Sequence, residues 1–150
     1  MRLLKLTAIL TFIVVFASCE QDLNTTILAK KDVVLDGSQE VPAKPSAANG
    51  LMDLSYNRST RTLTYTVRWN SLTGVPVGMH IHGTAGAGFN APIVQNFAGY
   101  AASQTGTYSG TFFVDGIAVK EDDLLRGAYY LNIHTALNPG GEIRGQIVLQ

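Results

Sequence analysis

The sequence predicts an all-β domain, an antiparallel β-sandwich of immunoglobulin-like or Greek-key type. Three observations carry this. Apolar and polar residues alternate at period two, not at the helical period of 3.6. Gly and Pro punctuate nearly every gap between the alternating runs, from Gly37, Pro42 and Pro45 to Pro139, Gly140 and Gly141. About eight short runs fit the chain after residue 30, the density expected of a sandwich. No repeat at a period of 20–50 residues and no heptad pattern competes with this reading.

The clearest strand is RTLTYTVRW at residues 61–69. Leu63, Tyr65, Val67 and Trp69 fall on one face, and Thr62, Thr64, Thr66 and Arg68 on the other. The preceding run, GLMDLSYN, sets Met52, Leu54 and Tyr56 on one face. Asn57-Arg58-Ser59-Thr60 is a turn cluster, so the two runs form a hairpin. Further strands are expected at 31–36, 77–82, 93–97, 107–114, 128–134 and 142–149. KEDDLLR at 120–126 reads as about two turns of helix. Tyr65 and Trp69 lie on an apolar face and are assigned to the core rather than to a ligand-stacking platform.

The first eighteen residues are an address. Arg2 and Lys5 precede the apolar run LTAILTFIVVF, which is shorter than the roughly 20 residues a membrane-spanning helix needs. Small residues and the chain's one cysteine follow, as Phe16-Ala17-Ser18-Cys19. This resembles the bacterial lipoprotein box, which implies a signal peptide at 1–18, cleavage before Cys19 and lipidation of its thiol. One acyl chain holds a protein only marginally, whereas several hold it stably. Residues 19–29 then form a polar tether, and the domain occupies 30–150. The expected location is the bacterial cell envelope, periplasmic or surface-exposed, with the membrane as a partner through the N-terminal lipid.

Composition excludes several classes. Lys+Arg and Asp+Glu balance at 11 each, and loss of the leader leaves nine basic against eleven acidic residues. Charged residues are 15% of the chain, against about 25% in an average soluble protein. No basic patch invites nucleic acid. A single cysteine excludes a disulfide framework and a Cys-rich zinc site. Ser38, Ser103 and Ser109 lack a nucleophile elbow. Glu40, Asp53, Asp115 and Glu142 show no spacing that singles out a catalytic carboxylate pair. Gln39 and Glu40 precede Pro42 in a corner and are read as packing residues.

Three histidines remain, and strand parity assigns their faces. In Val77-Gly78-Met79-His80-Ile81-His82 the apolar residues share one face and His80 and His82 the other, about 6.6 Å apart. Gly78 leaves room beside them. In Tyr129–His134, Leu131 and Ile133 point inward and Asn132 and His134 away. If the following Pro/Gly loop closes a hairpin, His134 faces Glu142 and Asn132 faces Arg144. Two readings stand. In one, Asn132, His134, Glu142 and Arg144 are a structural polar patch. In the other, His80, His82 and His134 bind a transition metal, copper or zinc, with Glu142 orienting His134. Convergence requires the strands of His82 and His134 to run the same way, because both histidines sit at C-terminal strand ends.

At these residues the sequence resembles the CHRD (chordin-type) domain family. The matching segments are Ser38-Gln39-Glu40-Val41-Pro42, His80-Ile81-His82-Gly83, Asn90-Ala91-Pro92-Ile93-Val94, Tyr130–Thr135 and Pro139–Ile147. The resemblance covers about residues 30–150. It implies an extracytoplasmic β-sandwich module with no established enzymatic activity. The family pattern is distantly similar to Cu/Zn superoxide dismutase, which also sets an H-x-H on a strand and an Arg near the end. That similarity implies a redox metal, with Arg144 guiding an anion. The chain departs from it in having three histidines, no disulfide pair and no His/Asp-rich zinc loop. Two functions follow: a membrane-anchored binding or structural module with a protein or glycan partner, or a domain that binds copper or zinc.

Overall fold

The computed structural model describes residues 26–150. The leader, Cys19 and most of the tether lie outside the described residues. Eight strands follow in order: β1 (Ile27–Asp36), β2 (Asn49–Asn57), β3 (Thr62–Asn70), β4 (Pro76–Gly83), β5 (Ile93–Asn96), β6 (Gly106–Phe113), β7 (Tyr129–Thr135) and β8 (Ile143–Gln146). One short helix, α1 (Glu121–Leu125), precedes β7. Among the described residues no helix is long and apolar enough to cross a membrane.

The strands form one sheet in the order β5-β4-β7-β8-β1-β2-β3-β6, and every pairing is antiparallel. Two four-stranded halves meet through one β1–β8 pair, Asp36 opposite Arg144. The outer strands β5 and β6 also approach each other. Gln95 Nε2 donates to the Thr111 carbonyl at 2.9 Å, so the sheet is nearly closed. The expected sandwich is thus a sheet rolled almost into a barrel, which leaves little free edge.

Alternation builds the core. Leu63, Tyr65, Val67 and Trp69 of β3 are all buried, as are Met52, Leu54 and Tyr56 of β2. Glycines on β6 face the two largest rings. Gly106 pairs with Trp69 and Gly110 with Tyr65. A Cβ at Gly110 would sit 2.5 Å from the Tyr65 hydroxyl, so these positions admit only hydrogen. Phe97 stacks on Tyr65 at 5.2 Å and on Tyr108 at 5.0 Å, joining the two halves.

Three expectations need correction. β1 begins at Ile27, not 31, because Ile27–Ala29 pair with Asn57–Ser55; the end of the supposed tether belongs to the sheet. β8 is four residues rather than eight, although Ile147 and Leu149 stay buried beyond it. Val77 is 57% exposed and does not share the core with Met79 and Ile81. A register shift between Pro76 and Gly78 breaks the alternation there, and Pro76 turns inward instead.

Candidate metal centre

β4 and β7 are direct antiparallel neighbours. The expectation that His82 and His134 converge only on strands running the same way is therefore wrong. Register explains the outcome. His134 lies opposite Gly78, His80 opposite Asn132, and His82 opposite Tyr130. His80 and His134 are thus diagonal neighbours, and Gly78 offers no side chain to separate them. A Cβ at Gly78 would stand 3.0 Å from His80 Cε1. One ring nitrogen from each of His80, His82 and His134 lies within 4.8 Å of the other two.

The hydrogen bonds around the rings fix their tautomers. His82 Nδ1 lies 2.9 Å from the Ala91 carbonyl, and His134 Nδ1 lies 2.9 Å from the Pro139 carbonyl. A carbonyl only accepts, so each Nδ1 carries the proton and each Nε2 presents a lone pair. Both Nε2 atoms face Asn132 Oδ1, at 3.0 Å from His82 and 2.9 Å from His134. His80 Nδ1 lies 3.0 Å from His134 Nε2. Ligating imidazoles commonly donate their second N–H to a backbone carbonyl in this way.

His82 is buried and stacks on Tyr130 at 4.7 Å, while His80 and His134 are half-buried. Burial, with the neighbouring His134 and His82 adding to it, pushes the His80 ring down to about 4. Burial also lowers His134, against the pull of the Pro139 carbonyl. Both shifts favour the neutral ring, the form that binds metal.

Asn132 lies at the centre of this cluster. Glu142 does not orient His134. It has no exposed surface, yet its oxygens accept from Ser46 Oγ at 2.7 Å, Thr73 N at 2.9 Å, Thr73 Oγ1 at 2.7 Å and Thr135 Oγ1 at 2.6 Å. β8 begins only at Ile143, and Gly141 has φ 117, so strand parity does not extend back to Glu142. The carboxylate faces the loop after β3 instead. Its part in the site is indirect, since it holds the end of β7 and the return of the loop that carries Pro139.

Arg144 lies opposite Asn132, as its parity requires, but it is 1% exposed. Its guanidinium sits 3.4 Å over the Tyr130 ring and donates to the Phe89 carbonyl at 3.0 Å. A group so enclosed does not guide an anion in from solvent. Its charge acts on Glu40, which the sequence reading left in a packing corner. Glu40 is buried, and its Oε1 has no hydrogen-bond partner. Burial pushes its carboxyl up to about 7, while Arg144, a hydrogen bond from Asn132, Lys44 and the Val41 amide pull it back. The link from Glu40 to Asn132 spans 92 positions, and no local pattern announces it.

The family model described as the CHRD domain matches residues 32–147, a span holding all three histidines, Glu40 and Arg144. No curated protein and no solved structure matches the chain. The resemblance read from the segments around His80-Ile81-His82 and Asn132–Arg144 is thereby established: the chain belongs to the CHRD domain family.

Proposed function

We propose that this CHRD domain is a lipid-anchored module of the bacterial cell envelope that binds a transition metal, copper or zinc, on His80, His82 and His134. The observation that carries the reading is the three-ring cluster, with its ring nitrogens within 4.8 Å and two rings fixed by backbone carbonyls. Nitrogen donors suit copper and zinc, and copper stands highest in the affinity order for such sites. The Phe16-Ala17-Ser18-Cys19 segment behind an apolar leader supports the anchor.

The protein's own contribution is to hold the donors. Ala91 and Pro139 orient the rings of His82 and His134. Gly78 clears the space that lets His80 meet His134. Tyr130 packs on His82 and limits its rotation. A bound copper ion would add one-electron chemistry, and zinc would add none. The buried Arg144 argues for binding or metal handling over dismutation.

Calorimetric titration of the full chain in detergent tests this, with Cys19→Ser keeping the thiol out of the reaction. One copper or zinc ion per chain is expected. His80→Ala or His134→Ala should each weaken binding at least about a hundredfold. Binding that ignores both substitutions, or no binding, would contradict the proposal. The module would then be a scaffold for a protein or glycan partner.

A further inference from the structure

Strand direction tells the two ends of the barrel apart. β1 runs antiparallel to β8, and β8 antiparallel to β7, so β1 and β7 run the same way. Ile27 and Tyr129 therefore open their strands at one end. His134 lies near the other end, about 16 Å along β7 from Tyr129. The described chain enters at the first end. The Thr26 carbonyl accepts from Arg58 N at 2.8 Å, which fixes the entry beside the turn between β2 and β3. Six residues separate Thr26 from Cys19, so Cys19 stands at most about 25 Å away.

Three exposed apolar side chains surround that entry. Ile27, Asn57, Thr62 and Phe113 form one row across β1, β2, β3 and β6. The adjacent Tyr56, Leu63 and Phe112 are buried, so the row points outward. Ile27 is 52% and Phe113 54% exposed, at the two ends of a row about 14 Å wide. Ile117, 83% exposed, stands at the tip of the loop after β6. Asp115 Oδ1 accepts from Ile117 N at 2.7 Å and from Val119 N at 2.9 Å, so the loop holds Ile117 out in a fixed shape. The Arg61 guanidinium lies 5.4 Å over the Phe113 ring. A ring with a cation beside it suits the depth where acyl chains meet headgroups. Leu137 is 74% exposed too, but it stands in the loop after β7, at the histidine end, far from the chain's entry.

We infer that this end of the domain docks on the phospholipid bilayer that holds the lipid of Cys19, with Phe113 and Ile117 entering the headgroup–acyl boundary. The inference rests on the lipid-anchored reading and extends it to an orientation. Three side chains fall far short of the roughly 800 Å² per partner that a stable dimer needs. A short tether favours the bilayer instead, because it keeps the patch at an effective concentration of about millimolar. Arg58 pairs with Glu121 and Arg126 with Asp123, so this end carries no basic excess and the contact is apolar. His80, His82 and His134 then sit remote from the bilayer, where an ion can be taken up or passed on.

Hydrogen exchange tests the orientation, with the lipidated full chain in phosphatidylcholine vesicles compared with the Cys19→Ser chain in buffer. Exchange over residues 113–119 should slow about tenfold or more on the vesicles, in low salt and in high, while residues 134–141 exchange alike in both. Phe113→Ser combined with Ile117→Ser should still float with the vesicles but lose the slowing. Both side chains are exposed, so the fold is kept. A lipidated chain that floats yet exchanges over 113–119 as fast as the chain in buffer would overturn the docking and leave the anchor standing. Slowing confined to 134–141 would overturn it as well. A Cys19 without lipid, on a chain that does not float, would overturn both.

Discussion

Glu40 and Glu142 are both buried carboxyls near β8, and their surroundings treat them in opposite ways. Glu142 has no exposed surface, yet its carboxyl is held below the usual glutamate value. Burial is the largest single influence on it and acts upward, but bonds from Thr135, Ser46 and Thr73 together outweigh it. Burial is also the largest influence on Glu40, and fewer hydrogen bonds oppose it. One of its oxygens is unpartnered, and its carboxyl is pushed up to about 7. Burial alone does not decide the charge of a carboxyl; the donors aimed at it weigh against burial. The fully bonded acid ties loops together, while the under-bonded one lies beside Asn132 and the histidine cluster.

The largest expected effect is on the bonded acid. Glu142→Gln puts an amide against donors and should cost about 4 kcal/mol, since bonds to a charged acceptor contribute roughly 1.5–3 kcal/mol each. Urea unfolding should show a lower midpoint with an unchanged slope. A loss under about 1 kcal/mol would break the comparison.

Glu40→Gln sharpens it through pH. A folded-state value raised from 4.5 to about 7 gives stability that is complete below pH 4.5 and lost as pH rises through 7. In EDTA, the substituted protein should therefore gain on the unsubstituted one across that window, by about 3 kcal/mol at most. Glu142 has the opposite sign. Its contribution is present above pH 4.5 and lost as pH falls through its lowered value. A stability difference for Glu40→Gln that does not change between pH 4 and 8 would contradict this account.

The smallest effect belongs to an exposed pair. Arg68 Nη1 bonds Asp53 at 2.7 Å, holding that carboxyl down to about 2. Both side chains are substantially solvent-exposed. Asp53→Asn should cost no more than about 1 kcal/mol, and less in high salt.

Much of the fold was legible because alternation is a local property. Leu63, Tyr65, Val67 and Trp69 declare their face without knowledge of any partner strand. So do His80 and His82, and the pairing of Asn132 with Arg144 followed from closing one hairpin. The misreadings fall where period two stops. Val77 sits at a register shift, and Glu142 stands just outside its strand behind a glycine of positive φ. Convergence of the histidines was harder, because it depends on Gly78 facing His134 across β4 and β7. Glu40 was invisible as a neighbour of the site, since its contacts with Asn132 and Arg144 arise only when the 3-10 turn at Gly37–Gln39 packs near β8.

The central claim is that three imidazoles meet on a single ion. X-ray absorption at the zinc edge of the zinc-loaded full chain, with Cys19→Ser, addresses it directly. The predicted spectrum has three imidazoles in a shell at about 2.0–2.2 Å. A shell with one imidazole or none, completed by water, would contradict it.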